Sequence, residues 1–366
     1  MHKPSSERPI AYWLLVCCTL VFAMVVVGGV TRLTGSGLSI VEWQPVYGIL
    51  PPLTDVDWLD LFTKYQLSPE FQHVNYHFSV EEFKSIFWLE YWHRVLGRLI
   101  GLVFFLPLLY FWLRGKIPTG LKPKLVTMFM LGGLQGLLGW YMVKSGLVDN
   151  PHVSPYRLTA HLLLAVLVYA YMFWIALGLL RPASAPADNT QPVTSGGLRR
   201  ASKSVLALVV LTIASGGFVA GLKAGFTYNT FPLMAGKWVP DGLFSMQPWY
   251  INLFENVTTV QFNHRILATL TFLAVLLLWL AARRADQRCS LPAFIKRGFN
   301  LLLLAAVVQV SLGISTLLLQ VPISLAALHQ AGAMVLFTVL LYVVRRQQPA
   351  MQANKVTTLA SHPATQ

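Results

Sequence analysis

The chain reads as an all-α polytopic membrane protein, with eight transmembrane helices arranged as two pseudo-symmetric four-helix bundles. Three observations predict this. The 366 residues are 55% hydrophobic and 11% charged, where a soluble domain carries about a quarter charged residues. Several apolar runs reach the roughly 20 residues that a helix needs to cross a bilayer. The second half of the chain also repeats the pattern of the first. Spans are expected over 10–30, 86–112, 125–143, 157–180, 204–222, 258–281, 298–319 and 323–344.

The net charge of +14 is unevenly distributed. The N-terminal tail, the second, fourth and sixth loops and the C-terminal tail hold 18 Lys/Arg and 3 Asp/Glu, while the other loops hold 6 and 10. The positive-inside rule then places both termini in the cytoplasm and the odd loops outside. Basic cytoplasmic loops account for the charge, so the lipid bilayer is a partner and no nucleic acid is expected. The first span follows Lys3 and Arg8 as a signal peptide would. It is longer than a signal h-region and no small-residue cleavage site follows, so it reads as a retained anchor helix. Cys17 and Cys18 lie inside that span and Cys289 in a cytoplasmic loop, where none is placed to form a disulfide on the oxidising side.

The repeat is read by superposing stretches. A shift of 171 lays Glu90-Tyr-Trp-His93-Arg94 over Gln261-Phe-Asn-His264-Arg265, and a shift of 168 lays His161 over His329. The exits of spans one and five also match, "GGVTRLTGSGLSIVEWQP" from Gly28 and "GGFVAGLKAGFTYNTFPL" from Gly216. Each half has an even number of spans, which keeps the halves parallel in topology. The chain divides into an N-terminal bundle (1–185), a linker (186–202), a C-terminal bundle (203–346) and a tail (347–366). The tract "DNTQPVTSGG" in the linker has the Pro, Gly, Ser and Thr content of a flexible connection.

The first outer loop, 31–85, is too long for a plain connection. "TDVDWLDLFTKY" from Thr54 has an acidic start and apolar residues at helical spacing, which predicts a short surface helix. Ser79 and Glu82 form a capping box, so the second span's helix starts near Val80, a turn or two above the membrane. The motifs Gly97-x-x-x-Gly101, Gly132-x-x-x-Gly136 and Gly217-x-x-x-Gly221 suit close helix packing in lipid, and such faces permit a homo-oligomer.

Of nine histidines, His2 and His362 fall in tails and His73, His77 and His152 in outer loops. His93, His161, His264 and His329 fall one each on spans two, four, six and eight, all near the outer end and at repeat-related positions. Ionisable groups in spans are rare and usually face the bundle interior. Zinc prefers four ligands with sulfur or carboxylate among them, whereas a haem iron takes two axial imidazoles, and bundle cores commonly hold such groups. Two His pairs therefore predict two haem sites, His93 with His161 and His264 with His329. Haem propionates need cations, which Arg94, Arg98 and Arg265 supply; snorkelling to the interface is the alternative for each. His73 and His77 have the spacing of a helical metal clip, but an exposed polar loop is the plainer account.

Glu90 lies over Gln261, and this is where the halves differ. One turn separates Glu90 from His93, so they share a helix face. A carboxylate beside a haem in a partly desolvated place makes a general acid or base, and Gln261 has no such capacity. The first site is expected to do chemistry and the second to hold a fixed haem. The structural alternative for Glu90 is an ion pair with Arg94 or Lys84.

At these residues the chain resembles the haem A synthases of bacteria and mitochondria. The matching stretches are "GGVTRLTGSGLSIVEWQPVYGILPP", "EYWHRVLGR", "TAHL" around His161, "AGFTYNTFPLM", "QFNHR" and "ALHQ" around His329. The resemblance implies oxidation of the C8 methyl of haem O to a formyl group, giving haem A for terminal oxidases. It implies a haem O substrate flanked by His93 and His161, and a resident haem b on the irons' ligands His264 and His329. Glu90 would remove protons or stabilise a cationic intermediate, with water as oxygen donor. It further implies an inner-membrane location with the sites near the periplasmic face, and delivery of haem O by the farnesyl-transferring haem O synthase. The electron acceptor is not named by any residue. Many bacterial members carry cysteine pairs in the outer loops, and here those loops have none, as in the proteobacterial and mitochondrial branch. The rivals are a dihaem b-type electron-transfer protein, which leaves the Glu90/Gln261 difference unexplained, and a transporter without haem.

Overall fold

An apolar chain in lipid must satisfy its backbone polar groups internally, and long helices do so. The computed structural model describes residues 7–42, 47–147, 153–180 and 194–348. Eight helices in it are long and apolar enough to span a membrane: α1 (Glu7–Leu33), α4 (Val80–Leu113), α5 (Lys122–Gly146), α6 (Pro155–Leu179), α7 (Gly196–Gly221), α8 (Val257–Cys289), α9 (Ala293–Leu318) and α10 (Ile323–Arg346). No β-strand occurs among the described residues. Residues 186–193 of the linker, the tail beyond residue 348, His2, His152 and His362 lie outside the described residues.

The first loop carries two further helices, α2 (Asp55–Gln66) and α3 (Pro69–His73). Thr54 and Asp57 form a capping box on α2, and Ser79 and Glu82 form one on α4. Both helix starts follow from the sequence for that reason. Trp58, Phe62 and Tyr65 of α2 pack on Phe83, Ile86, Phe87 and Tyr91 of α4. The part of α4 above its apolar run is thus an aromatic platform for the loop.

The packing of the second half echoes that of the first. Helix α1 packs on α4 and α6, as α7 does on α8 and α10; α5 packs on α6, as α9 does on α10. The halves meet through α1–α10, α6–α7 and the central α6–α10 pair. Along that central pair Tyr169 and Thr338 share a hydroxyl hydrogen bond of 2.8 Å. Gln330 of α10 donates to the Val25 carbonyl of α1 at 2.6 Å, and Arg32 at the end of α1 donates to the Ala220 carbonyl at the end of α7. The repeat extends to backbone detail: Gly35 and Lys223, related by the exit alignment, both have left-handed φ, +67° and +52°. The first half uses glycine where that conformation is free of strain, and the second holds a lysine in it.

The three glycine motifs behave differently. A methyl on Gly217 would come within 2.8 Å of Thr159 Oγ1, and one on Gly221 within 2.6 Å of Pro155, so this motif seats α6 of the other half. A methyl on Gly97 would touch Met24, but Gly101, Gly132 and Gly136 face open space. No described residue lies within 4 Å of a methyl at those three: motif spacing puts glycines on one face without supplying a helix within the described residues to meet it.

Glu70 in α3 is buried, accepts from the Tyr65 hydroxyl at 3.2 Å, and that hydroxyl accepts from Asn75 at 2.8 Å. Burial pushes the Glu70 carboxyl up to about 7; the Tyr65 bond and Lys223 oppose the rise and Glu90 adds to it. Between its ordinary value of 4.5 and about 7 the folded protein keeps a proton that the unfolded chain has lost. Stability therefore falls as pH rises through that window. Thermal unfolding in detergent should show a lower midpoint at pH 8 than at pH 5, and Glu70→Gln should remove much of that difference. A pH profile of the variant identical to that of the wild type contradicts the account.

Candidate functional site

The four span histidines lie at the same end of the molecule as the long first loop, on α4, α6, α8 and α10, and all are half-buried. His161 lies within electrostatic reach of His93, and His264 of His329. Each ring rests on a glycine of a neighbouring helix. A methyl on Gly28 would stand 3.1 Å from His93 Nε2, and one on Gly216 3.2 Å from His264 Cε1. A methyl on Gly139 would stand 2.9 Å from His161 Cε1, and one on Gly313 2.8 Å from His329 Cε1. Gly28 and Gly216 correspond in the exit alignment. Gly139 and Gly313 correspond in another matched pair, "QGLLG" from Gln135 and "QVSLG" from Gln309.

Those glutamines were not singled out from the sequence. Gln135 reaches the His161 ring at 3.3 Å and donates to the His161 carbonyl at 3.1 Å. Gln309 reaches the His329 ring at 3.1 Å and donates to its carbonyl at 3.0 Å. The repeated Gln-x-x-x-Gly spacing was the available signal, since residues one turn apart share a helix face. Ser215, 2.8 Å from His264 Nδ1, has no counterpart in the first half and left no such signal.

Arg94 and Arg265 act as matched clamps. Arg94 donates to the carbonyls of Ile40 at 2.9 Å and Glu42 at 3.3 Å. Arg265 donates to the carbonyls of Tyr228 at 2.7 Å and Thr230 at 2.8 Å. These carbonyl pairs correspond in the exit alignment, so each arginine pins the chain that leaves the first helix of its own half. Arg98 sits one turn beyond Arg94 on α4 and is half-buried.

Glu90 is buried and fully engaged. Its Oε1 accepts from Arg94 Nη2 at 2.6 Å and Nε at 3.0 Å; its Oε2 accepts from Ser39 Oγ at 2.8 Å and the Ile40 amide at 2.9 Å. The ion pair with Arg94 forms, while Lys84 pairs with Glu81 instead. Gln261, equally buried, donates to the Tyr228 carbonyl at 3.0 Å. Both side chains thus plug the same loop position, and only the first brings a negative charge. His73 ends α3 and His77 lies beyond it; both are exposed, and no group of three metal-ligating side chains exists among the described residues.

Removing Arg265 frees the carbonyls of Tyr228 and Thr230, and that of Leu233 at 3.5 Å, from a charged donor, a loss on the order of 3 kcal/mol. Arg94→Ala should cost more, because it strands a buried carboxylate. Limited proteolysis of the purified protein should show new cleavage within 223–256 for Arg265→Ala; an unaltered digestion pattern refutes the clamp.

The chain matches the model of the family described as "Cytochrome oxidase assembly protein" over residues 11–341. A protein of Nitrosospira multiformis named "Heme A synthase" is 56% identical, covering 94% of this chain and 96% of its own length. One of Nitrosomonas eutropha with the same name is 52% identical, covering 93% and 94%. "Heme A synthase COX15" of Arabidopsis thaliana is 43% identical over 95% of this chain and 77% of its own length. Matched nearly end to end and more than half identical to one of these relatives, the chain belongs to the cytochrome oxidase assembly protein family that includes them.

Proposed function

We propose that this chain is a haem A synthase that oxidises the C8 methyl group of haem O to a formyl group, giving haem A for terminal oxidases. Family membership supports the activity. The observation that carries the division of labour is the charge difference between two otherwise matched sites: Glu90 occupies the loop position that Gln261 occupies in the other half.

Haem O lies between His93 and His161 in the first half. His264 and His329 would hold a resident haem b, which would supply one-electron redox chemistry for passing electrons to an external acceptor. The residues fit porphyrins: imidazoles carry the lone pairs iron takes, and the glycines beneath them keep the neighbouring helices close without side chains in the way. Taking a methyl to a formyl with water as oxygen donor releases four protons and four electrons, in two two-electron steps.

Glu90 sits one turn before His93 on the face that meets α1 and its exit loop. Held against Arg94, Ser39 and the Ile40 amide, it is a preorganised negative charge. Such a charge stabilises positive charge developing at the methyl carbon, and its Ser39 contact gives a departing proton a route toward the outer loop. Arg98, with the guanidiniums of Arg94 and Arg265, supplies positive potential for the propionates. The sites face the periplasmic side of the inner membrane, with both termini cytoplasmic. Haem O arrives from the farnesyl-transferring haem O synthase, and the open glycine face of α5 is the place for a homo-oligomer contact.

Pigment extraction tests this. Co-expression with a source of haem O should yield haem A, and Glu90→Gln should cut that yield by about 100-fold, the lower range for loss of acid–base or charge assistance, while haem b remains. His264→Ala should lose the resident haem. Extracts of the wild type holding only haem b and unchanged haem O make the chain an electron-transfer protein instead; a sample without a Soret band makes it a transporter.

A further inference from the structure

The Ser215 hydroxyl has one proton and two contacts. It donates to the Thr212 carbonyl at 2.8 Å, within its own helix, and it also stands 2.8 Å from His264 Nδ1. With that proton on the Thr212 carbonyl, the hydroxyl would accept from the ring. Nδ1 is then the N–H, and the lone pair is left on Nε2, the nitrogen free to bind iron. The turn carrying Ser215 is itself anchored, because Thr212 Oγ1 lies 2.7 Å from Thr271 Oγ1 of α8. Three hydroxyls thus tie α7 to α8 beside the His264 ring.

The first half lacks all three. The exit alignment puts Met24 where Thr212 stands and Val27 where Ser215 stands, and the histidine alignment puts Ile100 where Thr271 stands. His93 keeps the glycine beneath it, Gly28, but has no hydrogen-bond partner for its ring among the described residues.

A ligating histidine whose second nitrogen is hydrogen-bonded is fixed in orientation and more basic, and losing that partner typically lowers affinity 10–100-fold. A substrate site must release its product; a resident site must not. We propose that Ser215 is a positioning residue that makes the second-half haem permanent, and that Val27 at the matching place leaves His93 an exchangeable ligand. This rests on the reading of His264 and His329 as ligands of a resident haem.

The test uses the full-length purified protein and measures transfer of its haem to excess apomyoglobin, together with the low-spin electron paramagnetic resonance signal. Ser215→Ala should speed transfer of the resident haem about 10-fold and shift the g values; Ser215→Thr, which keeps the hydroxyl, should restore both. Val27→Ser adds a hydroxyl where the fold does without one, and should slow release of haem O from the first site. A Ser215→Ala protein with wild-type transfer rate and signal overturns the proposal, as does a Val27→Ser protein with unchanged release. His264→Ala separates the two levels. If it keeps a wild-type bis-histidine spectrum, the resident-site reading fails; if it is haem-free while Ser215→Ala is unaltered, only the role of Ser215 fails.

Discussion

Two adjacent glycines in the first helix of each half set the spacing on which the rest depends. Neighbouring residues on a helix point about 100° apart, so a Gly-Gly pair opens two faces at one height. Gly28 and Gly216 accept the imidazoles of their own halves, His93 and His264. Gly29 and Gly217 accept side chains from the opposite half, Gln330 of α10 and Thr159 of α6. A side chain at Gly28 or Gly216 would press on an imidazole, one at Gly217 on the stiff Thr159, and one at Gly29 would displace the Gln330 amide. Overpacking of this kind typically costs 1–3 kcal/mol. The contact that seats the histidines and the contact that joins the halves are thus one feature of α1 and α7.

From that spacing the site is built outward. The helix exits that follow the glycines are pinned by Arg94 and Arg265, through carbonyls at matched positions. Glu90 and Gln261 complete the same clamps from one turn away. A duplicated scaffold can therefore change its chemistry by exchanging a carboxylate for an amide, because both side chains still hold the loop. The hydroxyl ladder of Thr212, Ser215 and Thr271 is the reciprocal change, confined to the second half. One site carries a carboxylate and the other a hydroxyl ladder on an otherwise matched frame.

Much of this was legible from residues alone because it depends on local rules. Spans follow from apolar length, the start of α4 from its capping box, and α2 from its acidic start and apolar spacing. The histidines stood out because imidazoles inside apolar runs are rare. The roles of Arg94 and Arg265 were read less completely: their cationic character pointed to propionates, while the structure shows their donors on backbone carbonyls. Nothing local says which carbonyls a guanidinium several Å long will reach. Gln135 and Gln309 were passed over because a glutamine inside a span has many uses, and only the packing of α5 on α6 and α9 on α10 brings them to a ring. Gly101, Gly132 and Gly136 show the opposite case, a packing motif that no neighbour among the described residues meets.

By itself, the amino-acid order determined eight membrane helices, their duplication, four imidazoles at matching positions and the single carboxylate that distinguishes the halves. These follow from hydrophobic length, periodicity and residue chemistry, which act within a few turns of one helix. The tertiary structure alone decided that adjacent glycines serve two different neighbours, that the arginines clamp loops, and that a serine hydroxyl stands beside the His264 ring. Those facts depend on which helices meet and in what register, and close packing between segments far apart in the chain settles that.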